Sequence, residues 1–124
     1  MDKNEKAVYY ERKLIAYEQM LSAYWEILTQ AAEGSLSPSD YLLILKRTVP
    51  SFLYFTAEVS KKTNALESCF HKLTEAEDSK ELKPEVYKEA YRKTNKAFGD
   101  LVVAMRKDME GIRNDSSISE TADW

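Results

Sequence analysis

His71 is the only histidine among the 124 residues, and it is the side chain best suited to metal binding or proton transfer. On a helix, Glu67 and Glu75 would lie one turn before it and one turn after it, on the same stripe. A zinc site needs further Cys or His ligands, and a di-iron bundle needs several Glu residues and usually two Glu-x-x-His motifs. The chain contains neither set, so we predict a solvent-facing charged stripe and no metal site.

Cys69 is the only cysteine and therefore the only candidate thiol nucleophile. It lies two residues before His71, so on a helix the two side chains point about 200° apart and cannot act as a nucleophile and its base. Its position fits an apolar helix face, which predicts a buried and unreactive thiol. The three glycines are too scattered to form a phosphate-binding loop. We therefore predict no catalytic residues, no cofactor and no enzymatic activity.

A basic stripe follows Pro84. Lys88, Arg92 and Lys96 recur at four-residue spacing, which places them on one face of a helix. Residues 83–96 contain five basic and two acidic residues, a net charge of +3, whereas the whole chain has a net charge of −3. An ordinary solvated face is the first prediction, and nucleic acid is not an expected partner. Docking of an acidic protein is the leading alternative, so the three residues count as candidate partner-binding residues.

The composition predicts a soluble cytoplasmic protein. A single cysteine allows no disulfide within the chain, which favours a reducing compartment. The first six residues carry charges of both signs and lead into no apolar segment with a cleavage site, so no secretory signal is expected. The longest apolar run, from Tyr41 to Leu45, is far shorter than the ~20 residues that cross a bilayer, so no membrane contact is expected.

Helices must position all of these side chains. Gly34 is expected to end the first helix, Ser37 and Pro38 to begin the second, and Pro84 to begin the fourth. Three long helices and one short helix joined by short loops predict an all-α antiparallel bundle. The predicted helices span about residues 4–33, 38–48, 51–76 and 84–110, in one domain over 1–112 followed by a flexible tail over 113–124.

The first helix has an unusually wide apolar face. Apolar residues recur at three- and four-residue spacing for more than three heptads, and further apolar positions widen the face to roughly 200°. Two interpretations are open: other helices of the same chain cover both sides of this face, or one side binds a second copy in a homodimer. The central seam consists of Ala7, Tyr10, Leu14, Tyr17, Leu21, Tyr24, Leu28 and Ala31.

The third and fourth helices each contain irregular positions. Lys62 occupies the one polar position in the third seam, where its stem is expected to lie along the core with the amine in water. In the fourth seam Asp108 is out of pattern, and Gly99 marks a place where another helix could approach closely. The predicted third seam consists of Phe52, Phe55, Val59, Leu66, Cys69, Leu73 and Ala76.

Tyr9 and Tyr54 lie off the apolar seams, as do Val8 and Ile15 on the first helix. Tyrosine supplies a large contact area at low entropic cost and is enriched at interfaces, so these four residues are the main candidates for binding a partner. Trp124 joins them, because an aromatic residue that closes a polar segment can dock into a partner's groove.

These patterns favour a small non-enzymatic protein-binding module of the accessory, adaptor or inhibitor type. Immunity and counter-defence factors of bacteria and phages are often small acidic helical proteins, an association at the level of fold alone. The first alternative is a bundle that holds a small ligand or metal in its interior, with tyrosines and Lys62 as polar anchors. The second alternative is a weak nucleic-acid binder that uses the basic stripe.

Overall fold

The computed structural model describes residues 2–113. The predicted all-α bundle is confirmed, because these residues are largely helical and form no strand. The α-helices are α1 (Lys3–Glu33), α2 (Pro38–Lys46), α3 (Ala57–Glu77) and α4 (Pro84–Arg113), and a 3₁₀ helix spans Val49–Tyr54. Met1 and residues 114–124 lie outside the described residues. The predicted tail over 113–124, with Trp124, therefore lies outside them too, except for Arg113, which is the last residue of α4.

Both ends of α1 have strong local signals. At the beginning, the Asp2 side chain accepts a hydrogen bond from the N–H of Glu5 at 2.8 Å, which satisfies one of the free amides of the first turn. At the end, Gly34 adopts a left-handed conformation with φ of 73°, and its N–H bonds to carbonyls of the last turn. Such caps depend on only a few neighbouring residues, so they can be predicted from sequence. The observed span, Lys3–Glu33, accordingly differs from the predicted 4–33 only at its first residue.

α2 and the 3₁₀ helix form a broken second helix. The Ser37 hydroxyl accepts a hydrogen bond from the N–H of Asp40 at 3.2 Å, and Pro38 is the first helical residue. α2 ends at Lys46, before the predicted end at residue 48. Pro50 has no N–H for the α-helical hydrogen bond, and the chain around it winds into the tighter 3₁₀ form.

The start of α3 differs from the sequence-based prediction. The predicted start at residue 51 is wrong, because Thr56 is extended and caps a helix that begins at Ala57. The Thr56 hydroxyl accepts a hydrogen bond from the N–H of Val59 at 3.2 Å. Phe52 and Phe55, which were predicted to lie in the α3 seam, therefore precede α3.

The helices run up, down, up and down. α1 and α3 are parallel, because Tyr17 meets Phe55 just before α3 and Tyr24 meets Phe70 further along it. α4 runs the opposite way, with Tyr87 near its beginning bonded to the carbonyl of Ala31 near the end of α1. α4 packs along α3 and against α1, while α2 and the 3₁₀ helix return along the other side of α1.

The chain itself covers the wide apolar face of α1, as the first of the two interpretations expects. α4 packs against one side of it, and α2 with the 3₁₀ helix packs against the other. Leu14 and Leu21 of the central seam are only partly buried, and at the edge of the face Trp25 remains 58% exposed although its ring lies 6.0 Å from that of Phe98. The apolar residues of α1 that are buried are Tyr10, Ala16, Tyr17, Met20, Ala23, Tyr24, Ile27, Leu28 and Ala31.

The buried column of α3 is also shifted from the predicted seam. Phe70 is fully buried, whereas Cys69 beside it is half-buried, so the prediction of a buried thiol is wrong. Thr63 enters the core and Lys62 stays at its border, where its amine lies 3.9 Å from Glu58. The shift follows from the aromatic side chains of α1 and α2, because Phe70 fills the space that they leave in front of α3.

Gly99 does not mark a close helix approach. A Cβ atom placed on it would meet no atom of another element within 4 Å, so that prediction is wrong. Gly99→Ala is therefore expected to raise the free energy of unfolding by about 0.5–1 kcal/mol through helix propensity alone. Urea denaturation measures the change.

Gly34→Ala is the contrasting variant. The left-handed φ of Gly34 disfavours any side chain, and a Cβ would lie 3.0 Å from Lys80 Nζ, so this variant should lose stability. A Gly99→Ala protein that is destabilised to the same extent would contradict the assignment of open space around Gly99.

Candidate protein-binding groove

Two tyrosines that lie far apart in sequence meet at the N-terminal end of α1. The ring centroids of Tyr9 and Tyr54 are 5.7 Å apart, with the rings tilted by 44°. Together with Val8 and Arg12 they line a surface groove of about 420 Å³, which we call the Tyr9–Tyr54 groove. The groove is completed at its rim by Asn4 and Glu5 of the first turn of α1.

Exposed apolar side chains surround this groove. Val8, within it, is 45% exposed, and Phe52 and Leu53, which precede Tyr54 in the 3₁₀ helix, are 44% and 86% exposed. Ile15, two turns along α1 from Val8, is 53% exposed but does not line the groove. The structure thus brings Val8, Tyr9 and Tyr54 together and leaves Ile15 outside the groove.

A buried ion pair lies behind the groove. Lys13 is only 3% exposed, and its Nζ lies 2.6 Å from Asp108 Oδ2 on α4. The Tyr17 hydroxyl lies 2.7 Å from the same carboxylate oxygen and 3.0 Å from the carbonyl oxygen of Tyr54, so both are acceptors within its reach. These contacts tie α1, α4 and the end of the 3₁₀ helix to one another.

The electrostatics of this cluster keep Tyr17 protonated. Burial, and then the hydrogen bond to Asp108 and its negative charge, raise the pKa of Tyr17 well above its usual range. Tyr17 is therefore a permanent donor and not a proton carrier near neutral pH. Lys13 Nζ also lies 5.8 Å from the ring centroid of Tyr9 and 5.5 Å from that of Tyr17, within the range of cation–π attraction. The cluster of Lys13, Asp108 and Tyr17 thus holds the Tyr9 side of the groove in place.

Sequence reasoning missed Lys13, although a signal was present. Lys13 precedes Met20 and Ile27 by one and two heptads, so it falls in the apolar face of α1. Asp108 is likewise a charged residue within an apolar seam, that of α4, and its charge is opposite to that of Lys13. A buried cation requires a partner, so one unmatched lysine and one unmatched aspartate in two apolar faces indicate a pair.

The basic stripe is exposed and neutralised by its own helix. Lys88 lies 3.7 Å from Glu85, and Lys96 lies 3.6 Å from Asp100. Arg92 donates two hydrogen bonds to Glu89, which raise the pKa of Arg92 and lower that of Glu89. The stripe starts next to Tyr87, which contacts Ala31, so it begins at the opposite end of α1 from the groove. A role in docking an acidic protein stays a prediction.

The stripe around His71 differs from the prediction at one position. Glu67 is half-buried and accepts a hydrogen bond from the Tyr24 hydroxyl at 2.9 Å, so it does not face solvent with His71 and Glu75. Burial, with the charge of Glu67, raises the pKa of Tyr24 well above its usual range and that of Tyr41 to about 12. Within residues 2–113, no group of three or more His, Cys, Asp or Glu side chains is placed to hold a metal ion.

Cys69 lines a different groove, of about 680 Å³, between α3 and α4. Its lining includes the apolar residues Ala76, Val86 and Ala90 and charged side chains of both signs. His71 does not line this groove, which agrees with the expectation that the thiol and the imidazole point apart.

Comparison of the chain with protein-family models, with curated proteins and with solved structures found no match. Among the helices of the described range, none is both long enough and apolar enough to span a bilayer.

Proposed function

We propose that this protein is a non-enzymatic protein-binding module that binds its partner through the Tyr9–Tyr54 groove. One observation carries the proposal: Tyr9 and Tyr54, with 44 residues between them in sequence, come together with exposed Val8 around one concave surface, and exposed Leu53 directly precedes Tyr54. Concave surfaces of this size that contain aromatic and aliphatic side chains are typical anchoring sites for an apolar side chain of a partner.

The groove is suited to binding because its walls are already in place. Tyr54 is held through its carbonyl oxygen by Tyr17, and the Tyr9 ring lies over the buried Lys13. A partner would therefore order few side chains of this protein on binding, and ordering such side chains costs about 0.5–1.5 kcal/mol each. The exposed Arg12 adds one cation at the rim, where it can select an acidic group on the partner.

An accessory, adaptor or inhibitor role fits this surface, and an immunity or counter-defence factor would be one form of it. Such a protein acts by occupying a surface on another protein, so it needs a rigid contact site and no reaction chemistry. We place it in the cytoplasm, a proposal that the single free cysteine supports, because a reducing compartment keeps such a thiol free.

The test compares partner capture by three forms of the full chain. The groove variant Val8→Asp/Leu53→Asp introduces two charges at exposed positions, so the fold should be unaffected. Leu82→Asp is the matched control, because Leu82 is as exposed (87%) as Leu53 (86%) but precedes α4, whereas Leu53 adjoins Tyr54 of the groove and Val8 lines it. A protein retained from a host extract by the wild type and the control, but not by the groove variant, is the expected partner.

Titration calorimetry of the purified pair then gives the size of the effect. Loss of a central apolar anchor costs about 2 kcal/mol or more, so the groove variant should bind at least tenfold more weakly than the control. Equal affinity of the three forms for the captured protein would contradict the proposed binding surface.

A further inference from the structure

α2 is a short helix that is apolar on more than one side. Its nine residues include five consecutive apolar residues, from Tyr41 to Leu45. Tyr41 and Ile44 face the core and are each 5% exposed, whereas Leu42 and Leu43 point outward and are 57% and 62% exposed. We call the outward side, with Leu42, Leu43 and Lys46, the outer face of α2.

A helix that is apolar on all sides is typical of a buried position, where other elements cover it completely. Within the described chain α2 packs mainly on α1, so only its inner side is covered. Val49, just after α2, is also 56% exposed and adds to the apolar surface. Leu42, Leu43 and Val49 together present on the order of 300 Å² of apolar surface to solvent, which is comparable to the largest apolar patch on a typical monomer.

The charges at the two ends of this face suit a second copy of the same face. Asp40 lies three residues before Leu43 and Lys46 lies three residues after it, and both are exposed. Neither side chain forms an ion pair with another residue of the described range 2–113. If two α2 helices lie antiparallel with Leu43 at the centre, each Asp40 is level with Lys46 of the other copy. The face is thus complementary to itself, as a two-fold interface requires.

We propose that the outer face of α2 is the contact surface between two copies of this chain, related by a two-fold axis that passes near Leu43. The site is separate from the Tyr9–Tyr54 groove. α2 begins just after the C-terminal end of α1, whereas the groove lies at the N-terminal end of α1, and no residue of the outer face lines the groove.

The exposed area indicates a reversible dimer. Homodimer interfaces are about 65% apolar, so 300 Å² of apolar surface corresponds to about 500 Å² of total surface per copy. This is below the ~800 Å² per partner of a standard stable interface, and it falls in the range of weak complexes. Association should therefore depend on concentration between the micromolar and the millimolar range.

Sedimentation velocity of the full chain over that range is the first test. The wild type should shift from the 14.3 kDa mass of the chain toward twice that mass as the concentration rises. Leu43→Asp should raise the dissociation constant at least tenfold. Val86→Asp is the matched control, because Val86 is 54% exposed on α4, and this variant should associate like the wild type.

Charge exchange tests the two-fold arrangement itself. Asp40→Lys and Lys46→Asp should each weaken association, because either change places like charges level with each other. The double variant Asp40→Lys/Lys46→Asp restores opposite charges only if the partner is a second copy in this orientation, so it should recover wild-type association. Circular dichroism and urea denaturation show that each variant remains folded. A wild type that stays monomeric, a dimer that Leu43→Asp leaves intact, or a double variant that is no better than the single ones would overturn the proposal.

Discussion

Replacing Asp108 with alanine is expected to lower the free energy of unfolding by about 3–5 kcal/mol. The carboxylate is the ion-pair partner of Lys13, whose side chain is 4% exposed, and it also accepts from Tyr17. Its removal leaves a buried ammonium group without a counter-charge, which costs far more than the loss of an exposed ion pair. Urea denaturation followed by circular dichroism measures the change.

Two further variants separate the buried charge from simple loss of contacts. Lys13→Met/Asp108→Leu removes both charges and keeps apolar volume, so it should recover most of the stability lost in the single variant. Asp100→Ala on the same helix removes an exposed partner of Lys96 and should cost about 0.5 kcal/mol or less. If Asp108→Ala loses no more than Asp100→Ala, the pair with Lys13 is not a significant part of the core.

Replacing Phe70 with alanine is expected to cost a similar amount, about 3–5 kcal/mol. Phe70 is fully buried, and its ring centroid lies 5.5 Å from that of Tyr24 and 6.0 Å from that of Tyr41. It therefore joins α3 to both α1 and α2, and its truncation opens a cavity that the surrounding rings cannot fill without movement. The same urea titration measures the effect.

Phe52→Ala is the matched control for this variant, because Phe52 is 44% exposed in the 3₁₀ helix and its loss should cost about 1 kcal/mol or less. Near-ultraviolet circular dichroism supplies a second observable, since Phe70→Ala should change the tyrosine signals while Phe52→Ala should change them little. Equal destabilisation by both substitutions would contradict a central position for Phe70.

The surroundings of Phe70 explain why the predicted α3 seam was wrong at Cys69. Periodicity alone allows either Cys69 or Phe70 to face the core, because the two are adjacent on the helix. The choice depends on the size of the space between α1, α2 and α3, and the rings of Tyr24 and Tyr41 leave room for an aromatic side chain. That space exists only once the helices have packed.

The Tyr9–Tyr54 groove also combines features that follow from the sequence with features that depend on tertiary packing. Exposure of Val8 and the off-seam positions of Tyr9 and Tyr54 follow from helical periodicity, and all three are found at one surface. The groove itself depends on the return of the chain through the 3₁₀ helix, which brings Tyr54 back to the first turns of α1. The exposed outer face of α2 was not predicted, because a run of five apolar residues predicts a buried segment.

By itself, the sequence determined the class of fold and the ends of most helices, through the long seam of α1 and the signals at Gly34, Ser37 and Pro84. These signals are local, because helical periodicity and capping involve residues within about four positions of one another. Only the tertiary structure decided which irregular residues pair, as Lys13 does with Asp108, and which apolar residues stay exposed, as Leu42 and Leu43 do. The physical reason is that burial and charge pairing depend on which helix faces meet, and no short stretch of the chain contains that information.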